Sequence, residues 1–382
     1  MICYLDNSAT TRPLDIVTDY MDKINREFFG NPSSLHTCGF EAEKIVKKAR
    51  ETILNALGDK DGNLVFTAGG TEANNLAIIG LMRNKLKRNP EAVTGITEHP
   101  SVSECFLYLK DNGAEVKVCP VKENGVINYD ELRNLITQKT ELVSLMLVNN
   151  EVGAKLDAGL VRKIIKEKNS KAIFHVDAVQ GFGKVDINVK KMGIDMLSLS
   201  GHKINGPKGV GALYFRKGIS LTPVIFGGHQ EGNLRSGTHN VPAIGGLSLA
   251  TENMMKNFKE NTERMRENKE FIINELKKIL FCQINGGNGE EYAPNIINAS
   301  FEKIKSEIFL HALEREGVFV SSGSACSSNR PAPSHVLLAM GLDRKRVDTA
   351  IRISLSPENT REELEYAVEK INKVAKEIHS VM

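Results

Sequence analysis

The chain has 382 residues, 41% hydrophobic and 25% charged, which excludes a disordered or collagen-like protein. Lysine and arginine together number 50 against 47 acids, and a net charge of +3 gives no broad field for nucleic acid or anionic lipid. The longest apolar run, at 142–148, is far short of the roughly 20 residues that span a bilayer. Two domains are expected at this length, in a cytoplasmic chain with no membrane or direct nucleic-acid partner.

The sequence becomes strand-like at once (Met1-Ile2-Cys3-Tyr4-Leu5), so no secretory leader is expected. Short runs rich in β-branched residues follow at 64–66, 92–96, 115–119, 142–148, 172–176, 196–199 and 210–215. Between them lie amphipathic stretches at 72–87, 101–112, 129–136 and 158–167. Strands alternating with helices predict an α/β domain with a mostly parallel sheet, and ligands in such sheets sit at the carboxyl ends of the strands. From Val241 a long helical pattern runs to near Leu280 and is expected to join two domains. Beyond it, strands at 295–301 and 318–321 and two helices, the last from about Arg361, suggest a smaller α+β domain. The expected division is 14–250 for the large domain, with 1–13 and 251–382 forming the small one.

Six scattered cysteines (Cys3, Cys38, Cys105, Cys119, Cys282, Cys326) include no C-x-x-C pair, so neither structural zinc nor a disulfide framework is expected, and no metal site is assigned. Five local patterns carry chemistry. Ser200-Gly201-His202-Lys203, just past a strand, can be a basic turn, or can place a lysine in a pocket where it loses its proton and binds a carbonyl. Asp177 ends an apolar strand; it can be a cap, or the buried carboxylate that keeps a pyridoxal phosphate ring nitrogen protonated. The Gly69-Gly70-Thr71 turn can cradle phosphate at a helix start, although many strand–helix turns have glycines. Cys326 sits among glycine and serine, which bury a thiol poorly, so it is expected to be accessible. Arg352, in an alternating strand, can face solvent or clamp a carboxylate.

Together with Tyr4-Leu5-Asp6-Asn7-Ser8-Ala9-Thr10-Thr11, Gly30-Asn31-Pro32-Ser33-Ser34-Leu35-His36, Thr97-Glu98-His99, Asn149-Asn150-Glu151-Val152-Gly153 and Arg235-Ser236-Gly237-Thr238, these patterns resemble the cysteine desulfurases of the NifS/IscS type along nearly the whole chain. That family consists of class V, fold-type I pyridoxal-phosphate enzymes. The resemblance implies that Lys203 holds the cofactor and moves the substrate Cα proton, that Asp177 pairs with the ring nitrogen, and that His99 stacks on the ring. It implies that Gln180 bonds the ring hydroxyl, that Asn150 contacts cofactor or substrate, and that Gly70, Thr71, Ser200 and His202 bind the phosphate. Thr238 is expected to reach the phosphate of a second subunit, which implies a homodimer. Asn31 and Arg352 are expected to hold the carboxylate of L-cysteine, and Cys326 to accept its sulfur as a persulfide. A sulfur-acceptor or scaffold protein would then receive it for iron–sulfur cluster or thio-cofactor biosynthesis. A class V aminotransferase, a selenocysteine lyase and a non-catalytic relic are the alternatives; Cys326 argues against the first, and the retained Lys203, Asp177, His99 and Arg352 against the last.

Overall fold

Strands buried on both faces, among them Glu91–Gly95, Met196–Ser200 and Gly211–Phe215, form the centre of the molecule. The computed structural model describes residues 1–168, 171–322 and 333–381. In chain order these begin with β1 (Cys3–Tyr4), α1 (Asp15–Glu27), α2 (Thr37–Ala56), β2 (Asn63–Thr67), α3 (Gly70–Met82), β3 (Glu91–Gly95), α4 (Pro100–Asp111), β4 (Glu115–Cys119) and α5 (Tyr129–Leu135). Then come β5 (Thr140–Met146), α6 (Ala158–Lys168), β6 (Ile173–Asp177), α7 (Val189–Met192), β7 (Met196–Ser200), β8 (Gly211–Phe215), α8 (Val241–Lys256) and α9 (Phe258–Leu276). The rest is β9 (Cys282–Asn285), β10 (Ile296–Phe301), α10 (Ser306–Arg315), β11 (Val318–Phe319), β12 (Ser321–Ser322), α11 (His335–Ala339), α12 (Arg344–Asp348), β13 (Ala350–Ser354) and α13 (Arg361–His379).

The large sheet has the order β2-β8-β7-β6-β5-β3-β4. All its pairs are parallel except those of β8, which runs against both β2 and β7. The reversal has a simple cause: only residues 201–210 join β7 to β8, fewer than the dozen or more a parallel crossover requires. The mostly parallel sheet is therefore present with one reversed strand, and the carboxyl ends of β2, β3, β5, β6 and β7 lie along one edge. A second sheet, β12-β13-β10-β9, is antiparallel throughout. It is covered by α13, whose Leu364, Ala367, Val368, Ile371, Val374 and Ala375 form one buried stripe at helical spacing.

One apolar cluster joins α1, α2 and α8 to the large sheet, and another joins α9, α10, α13 and the small sheet. Cys3 and Leu5 belong to the second, because β1 pairs in parallel with β11 and Leu5 lies between Phe319 and Ser354. The expected single helix from Val241 is in fact two. Asn257 breaks it at φ −108° and ψ 11°, and its side-chain amide donates back to the Asn253 carbonyl at 3.2 Å. Asparagine competes in this way with the helical ladder. Strand β9 and the short helices α11 and α12 were not expected; their periodic patterns are too brief to read in sequence. Among the described residues no helix is long and apolar enough to cross a membrane.

Candidate active site

A cavity of about 250 Å³ opens where the strands of the large sheet end. Gly70, Thr71, His99, Asn150, Asp177, Gln180, Ser200, His202 and Lys203 all line it, so nine positions spread over 134 residues (203 − 70 + 1) of sequence converge there. Their convergence follows from the topology: β2, β3, β5, β6 and β7 each deliver the loop at their carboxyl end to the same edge.

Asp177, the last residue of β6, is 5% exposed. One of its oxygens accepts the Val179 amide at 2.9 Å and the other accepts the Asn74 side-chain amide at 2.8 Å. Burial raises its carboxyl above the ordinary range, while these two donors and the nearby His99 and Lys203 oppose that rise. A cation placed against it would hold it ionised. His99 caps α4: its Nδ1 accepts the Ser101 amide at 3.1 Å, and Pro100 sits at the first helical position, where no amide is needed. Burial lowers its pKa, so the ring is neutral, and with Nδ1 accepting, the proton rests on Nε2.

Lys203 stands on the tight turn after β7 and donates through Nζ to the Ala9 carbonyl at 2.8 Å and to the Ser8 carbonyl. Gln180 donates to the same Ser8 carbonyl at 2.8 Å. Beneath the turn, the buried Lys184 donates to the Lys203 carbonyl at 3.2 Å, and burial pushes its pKa down to about 8. His202 has Nδ1 3.1 Å from the Thr10 hydroxyl, and burial, followed by Lys203 and Lys208, pushes it down to about 4.

The phosphate side is shaped by close packing. A Cβ at Gly70 would lie 2.5 Å from a Val179 methyl carbon, so only glycine lets α3 begin so near β6. The first turn of a helix leaves amides without intrahelical acceptors. Facing that turn, the Ser200 hydroxyl is buried with no hydrogen-bond partner among the described residues. A buried carboxylate, a lysine, a neutral imidazole and an unsatisfied hydroxyl beside a helix N-terminus form a donor set that fits pyridoxal phosphate. A wider cavity of about 810 Å³ shares Gly70, Thr71, Ser200 and His202 and extends to Lys208 and Arg235.

Three expected residues do not line the 250 Å³ cavity. Arg352, on β13, is 4% exposed and reaches the site indirectly, donating to the Asn150 carbonyl at 3.0 Å and to Asp6 at 2.7 Å. Asn31 is exposed between α1 and α2, its side-chain oxygen taking the Ser33 amide at 3.0 Å. Thr238 is exposed beside Gly237, whose φ of +117° suits glycine. Cys326 lies outside the described residues. Of the other cysteines, burial pushes Cys3, Cys105, Cys119 and Cys282 up to about 12, which keeps them as unreactive thiols, and Cys38 is exposed.

Sequence reasoning assigned no role to Asn74, Ser101, Lys184, Ser8 or Asp6. Asp6 and Ser8 stand inside a quoted motif, and a polar side chain at a buried position of α3 was the one available signal for Asn74.

The Aminotransferase class-V family model matches residues 3–367. The chain is 38% identical over 378 residues to a cysteine desulfurase IscS of Methanosarcina thermophila, covering 99% of this chain and 93% of that one. It is 39% identical over 376 residues to a cysteine desulfurase IscS of Clostridium botulinum, covering 98% and 94%. Among solved structures, a NifS-like protein superposes with a TM-score of 0.92 at 39% identity over the full length of both chains. A NifS-like protein from Rickettsia africae superposes with a TM-score of 0.88 at 32% identity, covering 98% of this chain and 100% of that one.

Proposed function

This chain belongs to the aminotransferase class-V family, and from that premise we propose that it is a cysteine desulfurase, moving the sulfur of L-cysteine to Cys326 and releasing L-alanine. The observation that carries this reading is the convergence of Asp177, Lys203, neutral His99 and the unsatisfied Ser200 hydroxyl on one cavity. Bound there, pyridoxal phosphate supplies an electron sink for charge developing at the substrate Cα. Asp177, held by Asn74 and Val179, would keep the ring nitrogen in its protonated form. His99 would stack on the ring, Gln180 would bond the ring hydroxyl, and Asn150 would contact cofactor or substrate. Gly70, Thr71, Ser200 and His202 would take the phosphate.

Lys203 would hold the cofactor, and its amine is the base placed to move the substrate Cα proton. Asn31 and Arg352 hold the substrate carboxylate. The Cys326 thiolate would then attack the substrate sulfur: the Cβ–S bond breaks, an S–S bond forms, the proton of the substrate thiol replaces sulfur on Cβ, and the proton taken from Cα is returned to it. The products are alanine and a persulfide, with every atom accounted for. Thr238 of a second copy completes the phosphate site, which makes the working unit a homodimer. We assign residues 14–250 to the cofactor domain, and 1–13 with 251–382 to the domain carrying Arg352 and Cys326; the two apolar clusters support this division. The setting is cytoplasmic, with an acceptor or scaffold protein receiving sulfur for iron–sulfur clusters or thio-cofactors.

The test is to incubate purified holoprotein with L-cysteine and measure alanine, and to map added sulfur by mass spectrometry without reductant. Equal yields of alanine and sulfide with reductant, and one added sulfur at Cys326 without it, are expected. No alanine, or sulfur only on another cysteine, would overturn the reading.

A further inference from the structure

Arg352 is buried in β13, and its guanidinium is incompletely paired. Its Nη1 donates to the Asn150 carbonyl at 3.0 Å, and Nη2 donates to Asp6 Oδ1 at 2.7 Å. Its Nε is buried with no hydrogen-bond partner among the described residues. The Nε and Nη2 hydrogens form one edge of the guanidinium, which a single carboxylate bridges with two parallel bonds. Asp6 takes a hydrogen from Nη2 and none from Nε. Among the described residues the arrangement therefore leaves a buried donor unsatisfied on a permanently charged group, which is unfavourable.

The two partners also differ in freedom. The Arg352 side chain is 5% exposed and that of Asp6 20%, so the carboxylate is the better placed of the two to turn toward water. The Asp6 backbone is fixed by a bridge to Ser354, and its carbonyl accepts the Tyr4 hydroxyl at 3.2 Å. Only the side chain is left to move.

We propose that Asp6 is a placeholder for the substrate carboxylate, occupying half of the Arg352 edge until an amino-acid carboxylate takes both halves. The inference rests on Arg352 being the carboxylate seat of the proposed reaction. Asp6 thus acts as a specificity residue. A ligand must offer a carboxylate to displace it, and a thiol or amine lacking one meets an arginine already held by Asp6. An edge that is free only part of the time weakens apparent affinity by that fraction.

The experiment compares wild-type holoprotein with Asp6→Asn by calorimetric titration of L-alanine and of ethylamine, which is alanine without its carboxylate. The substitution keeps the shape and removes the competing charge. L-Alanine is expected to bind about fivefold more tightly to the variant, as a weaker competitor frees the edge. Ethylamine affinity should stay unchanged. Asp6→Ala, with its melting temperature recorded, serves if the first variant folds poorly, and the same gain is expected. Weaker or unchanged L-alanine binding in the folded variant would mean that Asp6 permanently orients Arg352, and would overturn the proposal. So would equal gains for both ligands. These titrations measure binding, so they remain decisive on Asp6 even if the wild type makes no alanine from cysteine.

Discussion

Asp177 and Arg352 are both buried ionisable groups, yet among the described residues one is fully paired and the other is not. Both Asp177 oxygens are taken by protein donors, Asn74 and Val179, on elements fixed in the large sheet and its helices. Among the described residues Arg352 has one backbone partner, one carboxylate partner and one unsatisfied nitrogen. Under the proposed function the difference has a reason: a group that serves a resident cofactor is best held in a single geometry, whereas one that meets a new molecule at every turnover needs capacity in reserve.

The comparison breaks most visibly at Asp177. Asp177→Ala is expected to leave some cofactor bound and to lower turnover roughly a hundredfold to a thousandfold, since a preorganised charge is lost. Absorbance of the bound cofactor and alanine release measure the two effects. Near-normal turnover would remove Asp177 from the chemistry.

A second effect belongs to the Arg352 side. Glu151, buried near Arg352, accepts the Ser334 hydroxyl at 2.5 Å, and burial pushes its carboxyl up to about 7 against the opposing Ser334 bond and Arg352 charge. An unfolded glutamate ionises near 4.5, so between that pH and about 7 the native state binds the extra proton. Stability contributed by this group therefore falls as pH rises through that window, by up to about 3 kcal/mol, and is flat above it. Urea midpoints against pH should show the decline in the wild type and lose it in Glu151→Gln. The result sharpens the comparison, because a Glu151 that is protonated near neutrality leaves Asp6 as the anion facing Arg352.

The smallest effect tests the support beneath Asp177. Asn74→Ala leaves one buried oxygen unpaired and is expected to cost about 1–2 kcal/mol of stability. Its turnover should fall less than that of Asp177→Ala. A fall as deep as that of Asp177→Ala would mean that Asn74 contacts the reacting groups itself.

Much of this was legible in the chain. Asp177 and Lys203 announce themselves because one ends a short apolar run and the other stands on the turn just past one, and strand ends are where α/β sheets place chemistry. The reversed β8 could have been anticipated from its ten-residue connection (201–210), had that length been weighed against a crossover. The break at Asn257 was hidden because apolar spacing continues on both sides of it. Asp6 and Arg352 stand 346 positions apart, and neither spacing nor composition links residues that meet only after two sheets have formed. Nor does a sequence show that Ser200 lacks a partner among the described residues, since satisfaction is a property of the folded neighbourhood.

The pairing of Leu5 with Phe319 and Ser354 also orders events in biosynthesis, because the two flanking segments are made long after it. At about 5–20 residues per second, the stretch between Asp6 and Ser354 takes on the order of tens of seconds to synthesise. Until then the backbone groups of Leu5 have neither Phe319 nor Ser354 to pair with, and the segment around it waits as an unclaimed strand.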